Sequence, residues 1–216
     1  TGEYIMSRIK DESVSGLPGI VTERLRAIFD GTGAWVGYET IQISNGTSPI
    51  QGGYPYSILS DGTLNMGAGN GFVSLDGELF MTVDTTVDTV IPANDDKIDL
   101  TVGVRKGTNM TDADLFGTFV YYEQGYDGIT WASRAIYTFD GAGNGTFERT
   151  DDSDGQVTAS TTITYMVTTD ALETQYIPAG TVFIDGNRKG ILSANGQYLV
   201  FADTEADPVI DPTYAG

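Results

Sequence analysis

The sequence predicts an all-β protein made of two tandem antiparallel β-barrel-like repeats. The main observation is a duplication: Phe29-Asp30-Gly31-Thr32-Gly33 returns as Phe139-Asp140-Gly141-Ala142-Gly143, an offset of 110 residues (139 − 29). Both copies lie between runs that alternate polar and apolar residues. Asp-Gly supplies the positive φ angles of a tight hairpin, so each copy is predicted to be a β-turn between two strands.

Composition and turn spacing support this class. The 28 Gly and 12 Tyr, together with many Thr and Val, favour strands and turns over helices. Outside two polar connectors, turn signals recur roughly every 8–12 residues, which is typical of an antiparallel meander. The 216 residues are enough to bury one large core or two modest cores.

The first repeat is predicted to contain seven short strands. They are residues 2–10, 20–29, 34–43, 54–59, 63–66, 72–75 and 78–84. In the second of these, the residues Val21, Leu25, Ala27 and Phe29 share an apolar face. Glu23 falls on the same face and is its charged exception.

A connecting region follows the first repeat. Residues 85–97 are polar and are predicted to be a linker. Residues 97–106 alternate cleanly, and their apolar members are predicted to face a barrel interior: Ile98, Leu100, Val102 and Val104. A second polar stretch contains at most a short helical turn at Met110–Leu115. These patterns place repeat one at residues 1–96 and repeat two at 97–216, with the linker and connecting strand within 86–114.

The second repeat matches the first along most of its length. Gly117-Thr118-Phe119 corresponds to Gly2-Glu3-Tyr4, and residues 191–204 correspond to 72–85 with an offset of 119 (204 − 85). Trp131, Ala135, Tyr137 and Phe139 are predicted to point inward. The extra residues of this copy are predicted to form a longer excursion around 175–189. Seven or eight strands of this length close into a small lipocalin- or avidin-like barrel, with one fused sandwich as the alternative.

The link between the repeats carries a resemblance. It runs Val102-Gly103-Val104-Arg105-Lys106, then Met110-Thr111-Asp112-Ala113, then Leu115 and Gly117-Thr118-Phe119. With the F-D-G-x-G turns, this pattern resembles repeat-bearing extracytoplasmic lipoproteins and surface proteins of Desulfuromonas- and Geobacter-type bacteria. The resemblance covers nearly the whole chain and implies the repeat fold. The function of that family is unestablished, so the resemblance implies no catalytic residues.

Residue types exclude several chemistries. The chain has no Cys and no His, which removes thiolate sites, Cys nucleophiles and His-based zinc, haem and triad chemistry. The net charge of −19 disfavours nucleic acid and anionic membranes as partners. No apolar run reaches the roughly 20 residues of a membrane helix. We therefore expect a non-enzymatic protein.

One acidic cluster is a candidate cation site. Asp151, Asp152 and Asp154 precede Gly155 as in part of a calcium loop, although the remaining EF-hand positions do not match. Carboxylates prefer Ca²⁺ or Mg²⁺. The sequence therefore predicts no cofactor other than Ca²⁺ at this cluster, and a solvated hairpin tip is the alternative.

Four residues are candidate ligand contacts. Glu23 is interpreted either as a buried carboxylate in a barrel or as a surface residue beside Arg24 or Arg26. Tyr121, Tyr122 and Tyr126 lie in a segment without an obvious core face, so they are predicted to form an exposed aromatic patch in a loop.

The strand count predicts assembly. If residues 97–106 complete repeat one, repeat two is one strand short; if they open repeat two, repeat one carries the gap. An open sheet edge accepts a strand from another subunit, or the sheet edges of the two copies pair with each other. The alternative is that residues 208–214 fold back and cover the edge. The sequence therefore indicates an extracellular or cell-surface structural protein, or a lipoprotein or periplasmic one, that associates with other protein subunits. A small-ligand-binding barrel is the alternative.

Overall fold

The computed structural model contains two antiparallel β-sheets, one for each repeat, and each sheet curls toward a barrel. The all-β two-repeat prediction is thereby confirmed. The structure describes residues 1–11, 20–43, 55–67, 69–84, 99–126, 130–153, 155, 157–174 and 177–201. The predicted linker at 85–97 and residues 208–214 lie outside the described residues.

The first sheet has eight strands in the order β3-β2-β1-β8-β7-β6-β5-β4. Their bounds are β1 Gly2–Asp11, β2 Ile20–Phe29, β3 Trp35–Ile43, β4 Tyr56–Ile58, β5 Thr63–Met66, β6 Gly69–Val73, β7 Leu79–Asp84 and β8 Asp99–Arg105. Ala34, just before β3, and Pro55, just before β4, form a β-bridge between the two edges of this sheet. Beside it, the Tyr56 N–H donates to the Gly33 carbonyl at 2.8 Å. The sheet therefore curls far enough for its edge strands to meet at this point.

The second sheet has seven strands, which follow one another in sequence order. They are β9 Phe116–Tyr126, β10 Thr130–Asp140, β11 Asn144–Asp152, β12 Thr158–Val167, β13 Thr181–Ile184, β14 Arg188–Leu192 and β15 Leu199–Phe201. Asn144 pairs with Thr164, and the Tyr165 N–H donates to the Gly143 carbonyl at 2.9 Å. The Asn144–Thr164 pair is equivalent to the Ala34–Pro55 bridge of the first sheet. The same strands are therefore neighbours at this point in both repeats.

Aromatic side chains fill the concave face of each sheet. The first core consists of Tyr4, Met6, Leu25, Ala27, Phe29, Leu64 and Phe80. The second includes Met110, Leu115, Tyr137, Phe139, Ile163, Tyr165, Val167, Val182, Ile184 and Leu192. In the first core the Tyr4 and Phe29 rings meet edge to face with centroids 5.2 Å apart, a favoured geometry for an aromatic pair.

The two sheets pack against each other through their outer faces. Ile5 of β1 and Val104 of β8 are fully buried against Ile191 of β14, and Leu79, Tyr198 and Val200 border this contact. Polar bonds flank it: the Ala194 N–H donates to the Arg105 carbonyl at 2.9 Å, and Arg24 donates to the Lys189 carbonyl at 3.3 Å. The two repeats are therefore joined by an apolar contact with a polar border.

Strand β8 corrects one prediction about direction. Its residues Gly103 and Thr101 face the first core, opposite Met6 and Arg8, whereas Val104 faces the second sheet. The predicted inward set Leu100, Val102 and Val104 is therefore on the outer face, and Ile98 lies outside the described residues. The alternation was correct, but both faces of this strand are covered, so the pattern alone could not distinguish them. Because β8 pairs with β1 and β7, the first sheet extends past residue 96.

The second repeat carries its additional residues earlier than predicted. The proposed excursion at 175–189 contains β13 and the turn into β14. The longer connection lies between Val167 at the end of β12 and Thr181 at the start of β13, and its described residues include a 3₁₀ turn at Asp170–Leu172. The helical turn predicted at Met110–Leu115 is confirmed as a 3₁₀ turn at Asp112–Asp114.

The duplicated Asp-Gly turns are built alike. The Asp140 carboxylate accepts the backbone N–H groups of Ala142 and Asn144 at 2.7 and 2.9 Å. Asp30 accepts those of Thr32 and Ala34 at 2.7 and 3.2 Å. These bonds to the ionised form hold the pKa of both carboxyl groups below their usual range.

We expect Asp140→Ala to lower the Tm at neutral pH, because two backbone donors lose their acceptor. Asp140→Asn keeps an acceptor oxygen and should lower the Tm less. A carboxyl whose folded pKa is depressed stabilises the fold above its unfolded pKa of about 3.9, and the contribution is lost as the pH falls through the folded pKa. The difference in Tm between wild type and Asp140→Ala should therefore shrink below about pH 4. Thermal melts that show the same difference at pH 7 and pH 3 would contradict this account.

Candidate functional site: a cleft between β9 and β15

The first repeat shows what an intact barrel of this kind contains. Strand β8 lies between β1 and β7, and Gly103 is paired with Met6 on one side and Phe80 on the other. Val104 is paired in the same way with Ile5 and Leu79. Strand β8 is therefore hydrogen-bonded to both flanking strands.

The second repeat has the same two flanking strands. Gly117 pairs with Phe139 as Gly2 pairs with Phe29, so β9 is the equivalent of β1. Leu192 pairs with Leu199 as Val73 pairs with Phe80, so β15 is the equivalent of β7. In the described part of the sheet, β9 and β15 are the edge strands. In repeat two, the position equivalent to that of β8 therefore lies between β9 and β15.

An open cleft of about 240 Å³ lies at this position. One wall is formed by β9 and the other by β15 and the two residues before it, and Tyr137 and Leu79 also line the cleft. The wall residues are Phe119, Val120, Tyr121, Gln197, Tyr198, Leu199, Val200 and Phe201. Pockets for small molecules usually measure about 300–1,000 Å³. The cleft is smaller than that range, and most of the residues that line it are apolar or aromatic.

Aromatic rings close the inner side of the cleft. The Tyr121 ring meets the Phe201 ring edge to face with centroids 5.4 Å apart, and it meets the Tyr137 ring at 5.5 Å. Burial, and then the nearby Glu123 carboxylate, raise the pKa of Tyr121 above its ordinary value of 10.0, so the phenol stays protonated. The rings of Tyr121, Tyr137 and Phe201 therefore pack together behind the cleft.

Backbone groups of both walls face the cleft. In repeat one, the carbonyls of Glu3 and Glu78 accept the N–H groups of Lys106 and Arg105 at 2.8 Å each. The positions equivalent to Glu3 and Glu78 are Thr118 and Gln197. Since backbone direction alternates along a strand, Val120 on β9 and Leu199 on β15 also direct their N–H and C=O groups into the cleft.

The outer side of β9 exposes apolar surface beside the cleft. Val120 and Tyr122 are 52% and 72% exposed, whereas their equivalents in repeat one, Ile5 and Ser7, are 1% and 8% exposed. Phe116, at the start of the same strand, is also exposed. Edge strands that combine open backbone groups with apolar side chains are sites of strand pairing.

The predicted tyrosine patch is divided by the strand that contains it. Tyr121, Tyr122 and Tyr126 belong to β9 and not to a loop, so the loop prediction is wrong. Tyr121 points inward to the second core and Tyr122 points outward, because successive side chains of a strand alternate. The backbone of Tyr126 pairs with Thr130. The three residues therefore do not form a single surface.

Glu23 lies on the inner face of β2, as the interpretation of a buried carboxylate predicts. Its side chain is completely buried, and its Oε2 lies 3.2 Å from Nη1 of Arg8. Arg8 also donates from Nε to the Asp99 carboxylate at 2.7 Å. A buried carboxylate needs such a partner. Arg8, which is paired with Glu23 across β1 and β2, is thus a cationic partner of this buried carboxylate.

The acidic cluster of the second repeat is only partly described. Asp151 and Asp152 end β11, and Asp154 lies outside the described residues. Asp152 forms an ion pair with Arg149 at 3.5 Å, and its backbone N–H donates to Asp151. In the described part of the chain no three acidic side chains are arranged to hold a metal ion. Calcium binding by this cluster stays a prediction.

No protein-family model, curated protein or solved structure matches the chain. The resemblance to bacterial repeat-bearing surface proteins therefore stays a prediction. Within the described ranges, no helix has the length and apolar character needed to cross a membrane.

Residues Val120, Leu199 and Phe201 are the part of the site that sequence reasoning did not name. The strand count already placed a gap in one of the repeats, but it could not choose between them. That choice depends on the pairing partners of β8, which are β1 and β7.

We expect Glu23→Ala to destabilise the first repeat by about 2 kcal/mol. Breaking a fully buried ion pair costs about 3–5 kcal/mol, and Arg8 is partly exposed and keeps Asp99. Ser133→Ala, at the equivalent position of repeat two, is the matched control and should cost about 1 kcal/mol or less. Urea unfolding gives both values. Equal effects would show that the Glu23–Arg8 pair adds nothing to the stability of the fold.

Proposed function

We propose that this chain is a non-enzymatic structural protein that assembles with other protein subunits by β-strand addition. The observation that carries the proposal is the cleft between β9 and β15, at the position that β8 fills in repeat one. The incoming strand would come from another subunit and complete the second barrel.

Edge chemistry supports this role. Unpaired N–H and C=O groups on a sheet edge are a template for another strand, and proteins usually block such edges with charged residues, proline or bulges. The cleft-facing segments Phe119–Tyr122 and Gln197–Phe201 contain no charged residue and no proline. In strand addition, main-chain hydrogen bonds provide affinity and side-chain pockets provide specificity.

The packed interiors favour this role over a ligand-binding barrel. Lipocalin-like function needs a cavity within a barrel. In repeat two, the Tyr137 and Phe139 rings stack with centroids 5.6 Å apart, and Tyr165 meets Phe139 at 5.0 Å. In repeat one, Phe29 contacts Tyr56 and Phe80 at 5.0 and 5.7 Å. These contacts occupy the space that a ligand would need.

A strongly acidic surface fits a location outside the cytoplasm. The net charge of −19 keeps such a protein soluble and limits nonspecific contacts with nucleic acid and anionic lipid. We place the protein at the cell surface or in the extracellular space, with a lipoprotein or periplasmic location as the alternative.

The proposal predicts that Val120→Pro weakens self-association at least tenfold. Proline removes the cleft-facing N–H of β9 and adds a ring at the edge, while the bonds of β9 to β10 come from alternate residues. Val120→Thr is the control, because it keeps the N–H and the β-branched shape. Sedimentation velocity over a wide concentration range measures the association of each variant.

Two results would contradict the proposal. One is a wild-type chain that remains monomeric at all concentrations. The other is association that Val120→Pro leaves unchanged. A third variant, lacking residues 205–216, tests the alternative occupant: if association appears only after this deletion, the chain's own C-terminal segment fills the cleft and the proposal is wrong.

A further inference from the structure

We propose that the strand accepted by the cleft has the residue pattern of β8, with glycine at its central inward position. This inference rests on the proposed function and names the class of partner: a subunit that presents an extended segment with small or polar residues inward and β-branched residues outward. Repeat one provides the template, because its equivalent position is occupied by Asp99–Arg105.

The template fixes the register of the incoming strand. The residue equivalent to Gly103 would lie between Tyr121 and Leu199, since those are the equivalents of Met6 and Phe80. The next residue, equivalent to Val104, would lie between Val120 and Tyr198. The strand would run antiparallel to both walls, as β8 does to β1 and β7.

Ring packing favours glycine at the central inward position. In repeat one, a Cβ atom added to Gly103 would lie 2.2 Å from the Phe80 ring. In repeat two, the Tyr121, Tyr137 and Phe201 rings are already in contact behind the cleft. A side chain directed inward between Tyr121 and Leu199 would meet these rings, and overpacking a filled core is destabilising.

The outward positions favour apolar residues such as valine. Val104 in repeat one is fully buried between Ile5 and Leu79. A valine at the same place in repeat two would cover Val120, which is now half exposed. The position equivalent to Val102 would likewise lie beside Tyr122, which is 72% exposed. Apolar contacts of this kind stabilise neighbouring strands.

The second inward position favours a hydroxyl or a cation. The residue equivalent to Thr101 would lie beside Glu123, the equivalent of Arg8. The Glu123 carboxylate accepts a hydrogen bond from the Ser133 hydroxyl at 3.3 Å and lies 4.0 Å from Arg149. It retains acceptor capacity for a donor on the incoming strand, because a carboxylate has about four lone-pair sites.

A synthetic peptide of residues 97–106, Lys-Ile-Asp-Leu-Thr-Val-Gly-Val-Arg-Lys, tests the inference against the full chain. The control peptide carries Gly103→Val, which keeps the charge and raises the β-propensity. We expect the first peptide to bind with a measurable Kd by fluorescence anisotropy and to raise the Tm of the chain. The control peptide should bind at least tenfold more weakly, and the Val120→Pro chain should bind the first peptide at least tenfold more weakly than wild type.

The outcomes separate this inference from the function on which it rests. Equal binding of the two peptides, or binding that Val120→Pro leaves unchanged, would overturn the β8 pattern. If neither peptide binds while Val120→Pro still reduces self-association, the pattern is wrong and strand addition stands. If neither peptide binds and the wild-type chain is monomeric, both proposals are wrong.

Discussion

The structure depends on the two faces of strand β8. Its inner face brings Gly103 beneath the Phe80 ring and completes the first sheet between β1 and β7. Its outer face buries Val104 against Ile191 and joins the second sheet to the first. A single strand therefore closes one barrel and provides the contact surface for the other. In the described residues, the second sheet has seven strands where the first has eight, and its edges β9 and β15 border the cleft.

Much of the fold could be predicted from local patterns. The Asp30-Gly31 and Asp140-Gly141 turns and the period-two alternation placed most strands within a few residues, because both signals arise between near neighbours in the chain. The facing of β8 could not be predicted in this way. Both of its sides are covered, one by the core of its own sheet and one by the other repeat, so an apolar face did not identify the interior.

The site was harder to predict because it is formed by strand order. A buried carboxylate at Glu23 could be anticipated from its place on an apolar face, but its partner Arg8 comes from a neighbouring strand. The sequence predicts Tyr121 and Tyr122 in one exposed loop, whereas they belong to an edge strand and face opposite sides of it. The cleft itself lies between β9 and β15, which are distant in sequence, so no local motif could mark it.

Amide hydrogen exchange at a concentration at which the chain is monomeric is the most direct test of the open cleft. The account predicts that the N–H groups of Val120 and Leu199, which face the cleft, exchange rapidly. Those of Tyr121 and Val200, which face β10 and β14, should exchange slowly. Slow exchange at all four positions in the monomer would show that the chain covers both edges itself, and would contradict the account.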